Sequence, residues 1–438
     1  MKKVADVQDK IFKKIKNIFL SSNIIHNNFF FCPFNFSLGY GFLKYFVNKK
    51  NFFLIIKFFF TEIINIFFIN DYKIQKGINR KFKKTILTWG NETNINPDFY
   101  YDKYFNQQSN SDNNILWIVI YNGDYNIIKD VTLDNVIFVI EEKKSLFSRI
   151  CSFLNLIFTF VKIKKLNFNN FLFFFTWHNI FKLKISKLLS EIIHKDLELF
   201  LIPYEGQPFQ LELIQNMKQY SKIKTRGYVH SVPSFPTHLV YKNNFPDELI
   251  VSSRDQFKFF KEKILPNNYK IYLLESARFQ KSDPKFMKNK IFLPIDFYSQ
   301  EKILSELGML CNNELINYDI SDLEIKNHPA CKNSKKHLKL IKKIENFIET
   351  YDCRGKNRLK NQSIFIGSTG SVIEALELDL DVFHITEDPV LEAYSEFIWS
   401  NIKVYNISDY TYKYKILKKN HSMIFRKDIN FFDKYVEI

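Results

Sequence analysis

The strongest constraint on the fold is a series of short apolar runs that do not alternate with polar residues. Ile115-Leu-Trp-Ile-Val-Ile-Tyr121 is the clearest, closed by Asn122-Gly123. Alternation marks a strand with one wet face. An unbroken run of four to seven marks a strand covered on both faces, as in a parallel sheet. Thr85–Trp89 (ending at Gly90), Val136–Ile140, Phe171–Phe175 and Leu199–Ile202 read the same way, and Ile223–Val229 is a more polar member. A second block holds Glu248–Val251, Tyr269–Leu274, Lys290–Pro294, Leu323–Lys326, Ser363–Ile366, Val382–Ile385 and Ile402–Tyr405. Helical stretches separate them, among them Ser299–Leu307, stopped by Gly308. Strands alternating with helices in two blocks predict an α/β chain with two Rossmann-like domains. The expected boundary is Pro236–Pro246. It divides the chain into a helical extension (1–80), a first domain (81–240) and a second domain (241–438). The Lys-rich segment 333–361 reads as a solvated helix plus loop.

Composition narrows the partners. The formal charge is +17, but Phe (48 copies), Lys, Asn and Ile are inflated together, as AT-rich codons produce. The basic residues are dispersed, without a Lys/Arg block, so a nucleic-acid partner is not expected. An anionic substrate or an anionic membrane surface remains. Cys32, Cys151, Cys311, Cys331 and Cys353 show no C-x-x-C spacing, which argues against structural zinc and fits a reducing cytoplasm. The charged opening Met1-Lys-Lys-Val-Ala-Asp does not read as a signal peptide. Asn51–Asn70 carries Lys57 and Glu62 in its interior, and Phe153–Val161 is too short to span a bilayer. Both read as buried or amphipathic helices. The second is flanked by Arg149, Lys162, Lys164 and Lys165, so surface contact with an anionic membrane is its alternative.

In open parallel sheets, ligands bind beyond the carboxyl ends of the strands. Four motifs sit there. Gly367-Ser368-Thr369-Gly370-Ser371 joins an apolar strand to a helix. Its hydroxyls and N–H groups suit a phosphate, and Ser371 with Glu374 reads equally as a helix capping box. His328-Pro329 follows the strand around Ile325; the imidazole suits a phosphate oxygen, or is a turn residue. Glu205-Gly206 follows Leu-Ile-Pro-Tyr, where the carboxylate suits a general base or complements a helix dipole. Arg226-Gly-Tyr-Val-His230-Ser231 is the fourth, suited to a phosphate or an acceptor sugar, or else a structural loop.

Acidic-Gly, then His-Pro, then a Ser/Thr turn, in this order over roughly residues 85–400, resembles the GT-B-fold glycosyltransferases of bacterial surface-carbohydrate synthesis. Within them it is most similar to sialyltransferases and polysialyltransferases. The strings Tyr204–Phe209, Gly227–Ser231 and Glu275-Ser-Ala-Arg278-Phe279 are similar to a broader set of surface-carbohydrate proteins. The resemblance implies two domains facing across a cleft. It implies direct, inverting, metal-independent transfer from a CMP-linked donor to a hydroxyl of a glycan or lipid-linked glycan, in the cytoplasm or at the inner face of its membrane. It makes Glu205 the base and His328 the group that meets the departing phosphate. Ser368, Thr369 and Ser371 would hold that phosphate, and Glu374 the ribose. Gly206, Arg226, His230, Ser231 and Arg278 would serve the acceptor side. Tyr204 stands where the family pattern has a second acid, which leaves Glu205 as the lone carboxylate of its motif. Three rival readings remain: a CDP-polyol phosphotransferase with His230 as a second histidine, a nucleotide-binding scaffold without turnover, and a sugar-nucleotide epimerase.

Overall fold

The computed structural model describes residues 2–21, 52–75, 80–112, 114–161, 177–193, 196–219, 222–235, 245–280, 283–312, 320–328, 331–350, 361–367, 369–427 and 432–437. Its strands fall into two main sheets. The first holds β1 (Asp71–Ile74), β2 (Lys84–Gly90), β5 (Ile115–Tyr121), β6 (Val136–Glu142), β7 (Leu199–Pro203), β8 (Lys224–Val229), β9 (Glu248–Val251) and β10 (Lys270–Leu273). Between β2 and β5 lies a small hairpin of β3 (Tyr101–Asp102) and β4 (Gln107–Gln108). The second sheet holds β11 (Lys290–Phe292), β12 (Glu324–Lys326), β13 (Gln362–Ile366), β14 (Asp381–Ile385), β15 (Ile402–Asn406) and β16 (Thr411–Ile416).

The first sheet is ordered β1-β6-β5-β2-β7-β8-β9-β10, parallel except for β1. From β2 the chain builds outward through β5 and β6, then returns to β2's other side for β7 to β10, the doubly wound order of a Rossmann sheet. The second sheet, β12-β11-β13-β14-β16-β15, repeats this around β11 and ends in antiparallel β16 and β15. Every residue of β5, β7, β9 and β13 is buried, as continuous apolar runs require. The two-domain α/β expectation is met.

Three details differ from the sequence reading. The first sheet runs through the expected boundary, because β9 pairs with β8 in register from Arg226↔Glu248, and β10 pairs with β9. The helix expected to stop at Gly308 extends over Gln300–Asn312, since Leu307, Leu310 and Cys311 beyond the first turns are buried in the core and the Phe347 ring covers the glycine. The helix Lys335–Thr350 is not wholly solvated; His337, Leu340 and Ile344 bury one face. The Phe171–Phe175 run lies outside the described residues.

Both ends of the chain cross between the halves. The helix Lys2–Ser21 packs Phe12 on Phe259 and Phe397, and Gln8 donates to the carbonyls of Val390 and Ala393 (2.8 and 3.1 Å). The helix Asp433–Glu437 joins the first sheet's core, where Phe432 stacks on Trp117 and Tyr435 meets Tyr228. Asp255, after β9, is buried and accepts from the hydroxyls of Ser400 (2.8 Å) and Ser422 (2.7 Å) on the other half.

Candidate functional site

Each sheet reverses its strand order at one point, and a motif stands at the carboxyl end of each. In the first sheet the reversal lies between β2 and β7. The chain leaves β7 through buried Tyr204, then Glu205, then Gly206 at φ 64°, a left-handed conformation that glycine adopts without strain. Gln210 fixes this turn. Its Oε1 accepts the N–H groups of Glu205 (3.0 Å) and Gln207 (3.1 Å), and its Nε2 donates to Pro203 O (2.9 Å).

The Glu205 carboxylate meets His230, the first residue after neighbouring β8. His230 Nε2 lies 3.2 Å from Glu205 Oε1, and Gln207 Nε2 donates to Oε2 at 2.6 Å. Burial lowers the His230 pKa; the Arg278 and Lys103 charges act in the same sense and Glu205 opposes them. A neutral imidazole with its proton on Nε2 satisfies Glu205 and leaves Nδ1 as an acceptor, buried and without a hydrogen-bond partner among the described residues. Tyr104 packs edge-on against the His230 ring at 4.7 Å.

Tyr104 and Lys103 were not singled out from the sequence. They ride on a turn organised by Asp102, a buried carboxylate that accepts the N–H groups of Tyr104 (2.8 Å) and Phe105 (2.7 Å) and the Tyr100 hydroxyl (3.0 Å). The readable signal was Tyr100-Tyr-Asp-Lys-Tyr-Phe105, shortly beyond the carboxyl end of the strand where the order reverses. Desolvation in the cleft, then the Arg278 charge, lower the Lys103 pKa. The Arg278 guanidinium lies 5.7 Å from the Tyr104 ring centre and 5.0 Å from that of Phe279. Neither cation forms an ion pair among the described residues.

In the second sheet the reversal lies between β11 and β13. Gly367 follows β13 at φ 67°, and a Cβ there would stand 2.9 Å from Pro294 Cβ, so only glycine fits. Ser371 N–H donates to Thr369 Oγ1 (3.3 Å), and the short helix Ser371–Glu377 is capped by Gly370 without a side-chain bond. The capping box expected from Ser371 and Glu374 is therefore not formed. Burial raises the Glu374 pKa, and the nearby Arg278 charge opposes it. Ser368 and Pro329 lie outside the described residues.

The two carboxyl ends meet. The Tyr394 hydroxyl stands 2.9 Å from Val232 O, just after His230-Ser231, and 2.7 Å from Thr369 O. A Cβ on Gly370 would touch Val232 Cγ2 at 3.5 Å. Glu205, Gly206, His230, Arg278, Glu374, Thr369, Gly370 and Ser371 are thus brought to one junction. Ser231 joins it through its backbone, its carbonyl accepting Gln256 Nε2 at 2.9 Å. His328 lies half-buried after β12. Burial and then neighbouring His337 lower its pKa, and His337 Nε2 is 2.9 Å from Pro294 O, the residue packed under Gly367. Arg226 is elsewhere. It lies inside β8 rather than at its end, fully buried, bonded to Glu248 Oε2 (2.9 and 2.7 Å) and to Tyr435 O (2.6 Å). The acceptor-side role expected for it gives way to a structural one.

The turn that follows β13 is braced from behind by His384, buried on β14. Its Nε2–H donates to Gly367 O (2.6 Å), and the Tyr414 hydroxyl donates to Nδ1 (3.1 Å). Burial pushes its pKa from 6.5 down to about 4. An unfolded histidine takes its proton near pH 6.5, the folded one only near 4. Stability therefore falls as pH drops through this window, by on the order of 3 kcal/mol in all. Urea unfolding at neutral pH and at about pH 4.5 should show this loss in the wild type and a smaller one in His384→Gln. Equal losses would assign the acid sensitivity to other groups.

No family model matches the chain, and no curated protein matches it. Among the solved structures that match are two from Burkholderia. One is the α,α-trehalose 6-phosphate synthase of Burkholderia multivorans, with 8% identity and a TM-score of 0.32, covering 65% of this chain and 76% of that one. The other is a UDP-forming α,α-trehalose-phosphate synthase of Burkholderia xenovorans, with 10% identity and a TM-score of 0.33, covering 70% of this chain and 84% of that one. At these scores the fold rests on the strand order given above, and the chemistry on the residues at the junction.

Proposed function

We propose that the chain is a glycosyltransferase of surface-carbohydrate synthesis. It moves a sugar of the sialic-acid-like nonulosonic type from a CMP-linked donor to a hydroxyl of a glycan or lipid-linked glycan. The observation that carries this reading is the Glu205–His230 pair, set where both sheets' carboxyl ends meet beside Lys103 and Arg278, two cations without an ion pair among the described residues. In the proposed step the acceptor O–H gives its proton to Glu205 while its oxygen attacks the anomeric carbon. The bond from that carbon to the CMP phosphate oxygen breaks, and the electron pair leaves with the phosphate. One displacement inverts the anomeric centre. His230 holds the carboxylate in place through its N–H. The leaving phosphate would be met by the hydroxyls of Ser368, Thr369 and Ser371, by Arg278 and by His328, without a metal. Lys103 and Arg278 would also suit the donor's carboxylate. Glu374 would bind the ribose.

A second reading has one observation in its favour. His230 supplies the extra histidine that a CDP-polyol phosphotransferase would use. Incubation with CMP-sialic-acid-type and CDP-polyol donors, followed by identification of the transferred group, separates the two. Calorimetry should show CMP preferred over UMP, GDP and ADP. The CMP-linked donor should bind roughly tenfold or more weakly to the Lys103→Met/Arg278→Met double variant, from loss of charge-assisted bonds. A purine preference would remove the CMP assignment. An unchanged affinity would remove the cations from the site.

A further inference from the structure

Residues 275–279 follow β10 outside any strand or helix, yet the N–H groups from Ser276 to Phe279 are all bonded. Ser276 N–H donates to Ile424 O (2.7 Å). The next three go to hydroxyls: Ala277 N–H to Tyr435 (3.1 Å), Arg278 N–H to Tyr228 (3.3 Å) and Phe279 N–H to Ser276 (3.0 Å). The Tyr228 and Ser276 hydroxyls share a further bond (3.0 Å), and Tyr435 donates to Glu275 O (2.6 Å). Both tyrosines are fully buried, in one core with Phe105, Trp117 and Phe432. A phenyl ring would fill that core as well. A buried hydroxyl costs free energy unless it is bonded, so what the two tyrosines add there is their hold on this segment.

The segment carries Arg278. Its side chain is exposed, so its place is set by its backbone and by the neighbouring rings of Tyr104 (5.7 Å) and Phe279 (5.0 Å). Tyr228 and His230 stand two residues apart, which puts them on one face of β8 and its continuation, with their rings 6.2 Å apart. One strand therefore fixes both signs of charge at the junction. Through His230 it holds Glu205 (3.2 Å), and through Tyr228 it holds the backbone of Arg278. Tyr104 closes the circuit, packed on the His230 ring at 4.7 Å. The Arg278 charge reaches His230, Lys103 and Glu374. An anion that meets a cation already in place is spared the cost of ordering a long, exposed side chain.

We infer that Tyr228 is a positioning residue, whose hydroxyl holds the Arg278 backbone so that the guanidinium stands ready for the donor's anionic group beside Glu205 and His230. Tyr435 supports it, its ring held by Tyr228 (4.9 Å) and Phe105 (6.0 Å) apart from the Arg226 bond to its carbonyl. This role rests on the reading of Arg278 as a cation for the donor. Hydrogen exchange on the wild type, which needs no variant to fold, should find the amides of Ala277, Arg278 and Phe279 protected about as well as those of β8. Exchange at open-loop rates would overturn the hold. In Tyr228→Phe, Arg278 and Phe279 should exchange about tenfold or more faster while β8 stays protected. Calorimetry with CMP reads the consequence. Tyr228→Phe should weaken CMP binding about fivefold in the wild-type background and not at all in Arg278→Met, where the group it acts through is gone. A loss of the same size in both backgrounds would make Tyr228 a general support of the fold and overturn the role. So would an unchanged affinity in Tyr228→Phe where Arg278→Met alone weakens CMP. Faster exchange, with CMP affinity unchanged in both single variants, would keep the hold on Arg278 and remove the CMP-linked donor instead.

Discussion

Glu205→Gln should lower turnover by a factor of about 1,000 or more while leaving CMP affinity within about twofold of wild type. The substitution keeps shape and removes the basic oxygen. His230 N–H can still donate to the amide oxygen, Gln207 can turn its own side-chain oxygen to the new NH2 group, and the backbone stays clamped by Gln210, so the fold has no reason to change. The nucleotide is expected on the other side of the junction, at the Thr369–Ser371 turn. Loss confined to turnover therefore identifies a group acting on the acceptor. The pH profile gives a second readout. His230 must be neutral to leave Nδ1 unprotonated, and its lowered pKa puts the acid limb below the ordinary histidine range, near pH 6.5. If the Glu205→Gln enzyme loses donor affinity and turnover in equal measure, the carboxylate holds the donor, and the base is His230.

Arg226→Met should cost about 3–5 kcal/mol of stability without altering donor binding. Arg226 and Glu248 are each 1% exposed, and the guanidinium also bonds Tyr435 O. Methionine would leave the Glu248 carboxylate buried, with Lys224 (2.9 Å) and the more distant Lys270 as its remaining ionic partners among the described residues. It would also release the helix Asp433–Glu437 from β8. The midpoint of urea unfolding reads the loss. Arg226→Met/Glu248→Leu should recover part of it, because the stranded charge is then gone. A single variant as stable as wild type, with weakened donor binding, would return Arg226 to the site.

These two residues show where sequence was informative. Glu205 was legible because a strand end, a carboxylate and a glycine coincide in three residues. Arg226 was misread because it lies near a strand end in sequence but points into a core completed by Glu248 and Tyr435, one of them more than two hundred residues away. The central strands were legible because burial on both faces leaves only apolar residues. Asp71–Ile74 and Thr411–Ile416 were not, since both pair antiparallel at or near a sheet edge and carry polar residues throughout. Lys103 and Tyr104 escaped because a turn held by one buried aspartate has no periodic signature. His384 escaped because it sits inside an apolar strand, where its role depends on Gly367 and Tyr414 arriving from elsewhere.

The crossing of both chain ends bears on how the protein is made. Phe432, Tyr435 and Val436 fill a hole beside Trp117 and Phe105 in a sheet whose last strand ends at Leu273. On a ribosome adding ~5–20 residues per second, that sheet waits on the order of ten seconds with part of its core open. Helix Lys2–Ser21, made before either sheet, waits for Val390 and Ala393. Neither half is a contiguous stretch of sequence, so dividing the gene at the visible junction would yield two fragments that each lack a piece of their own interior.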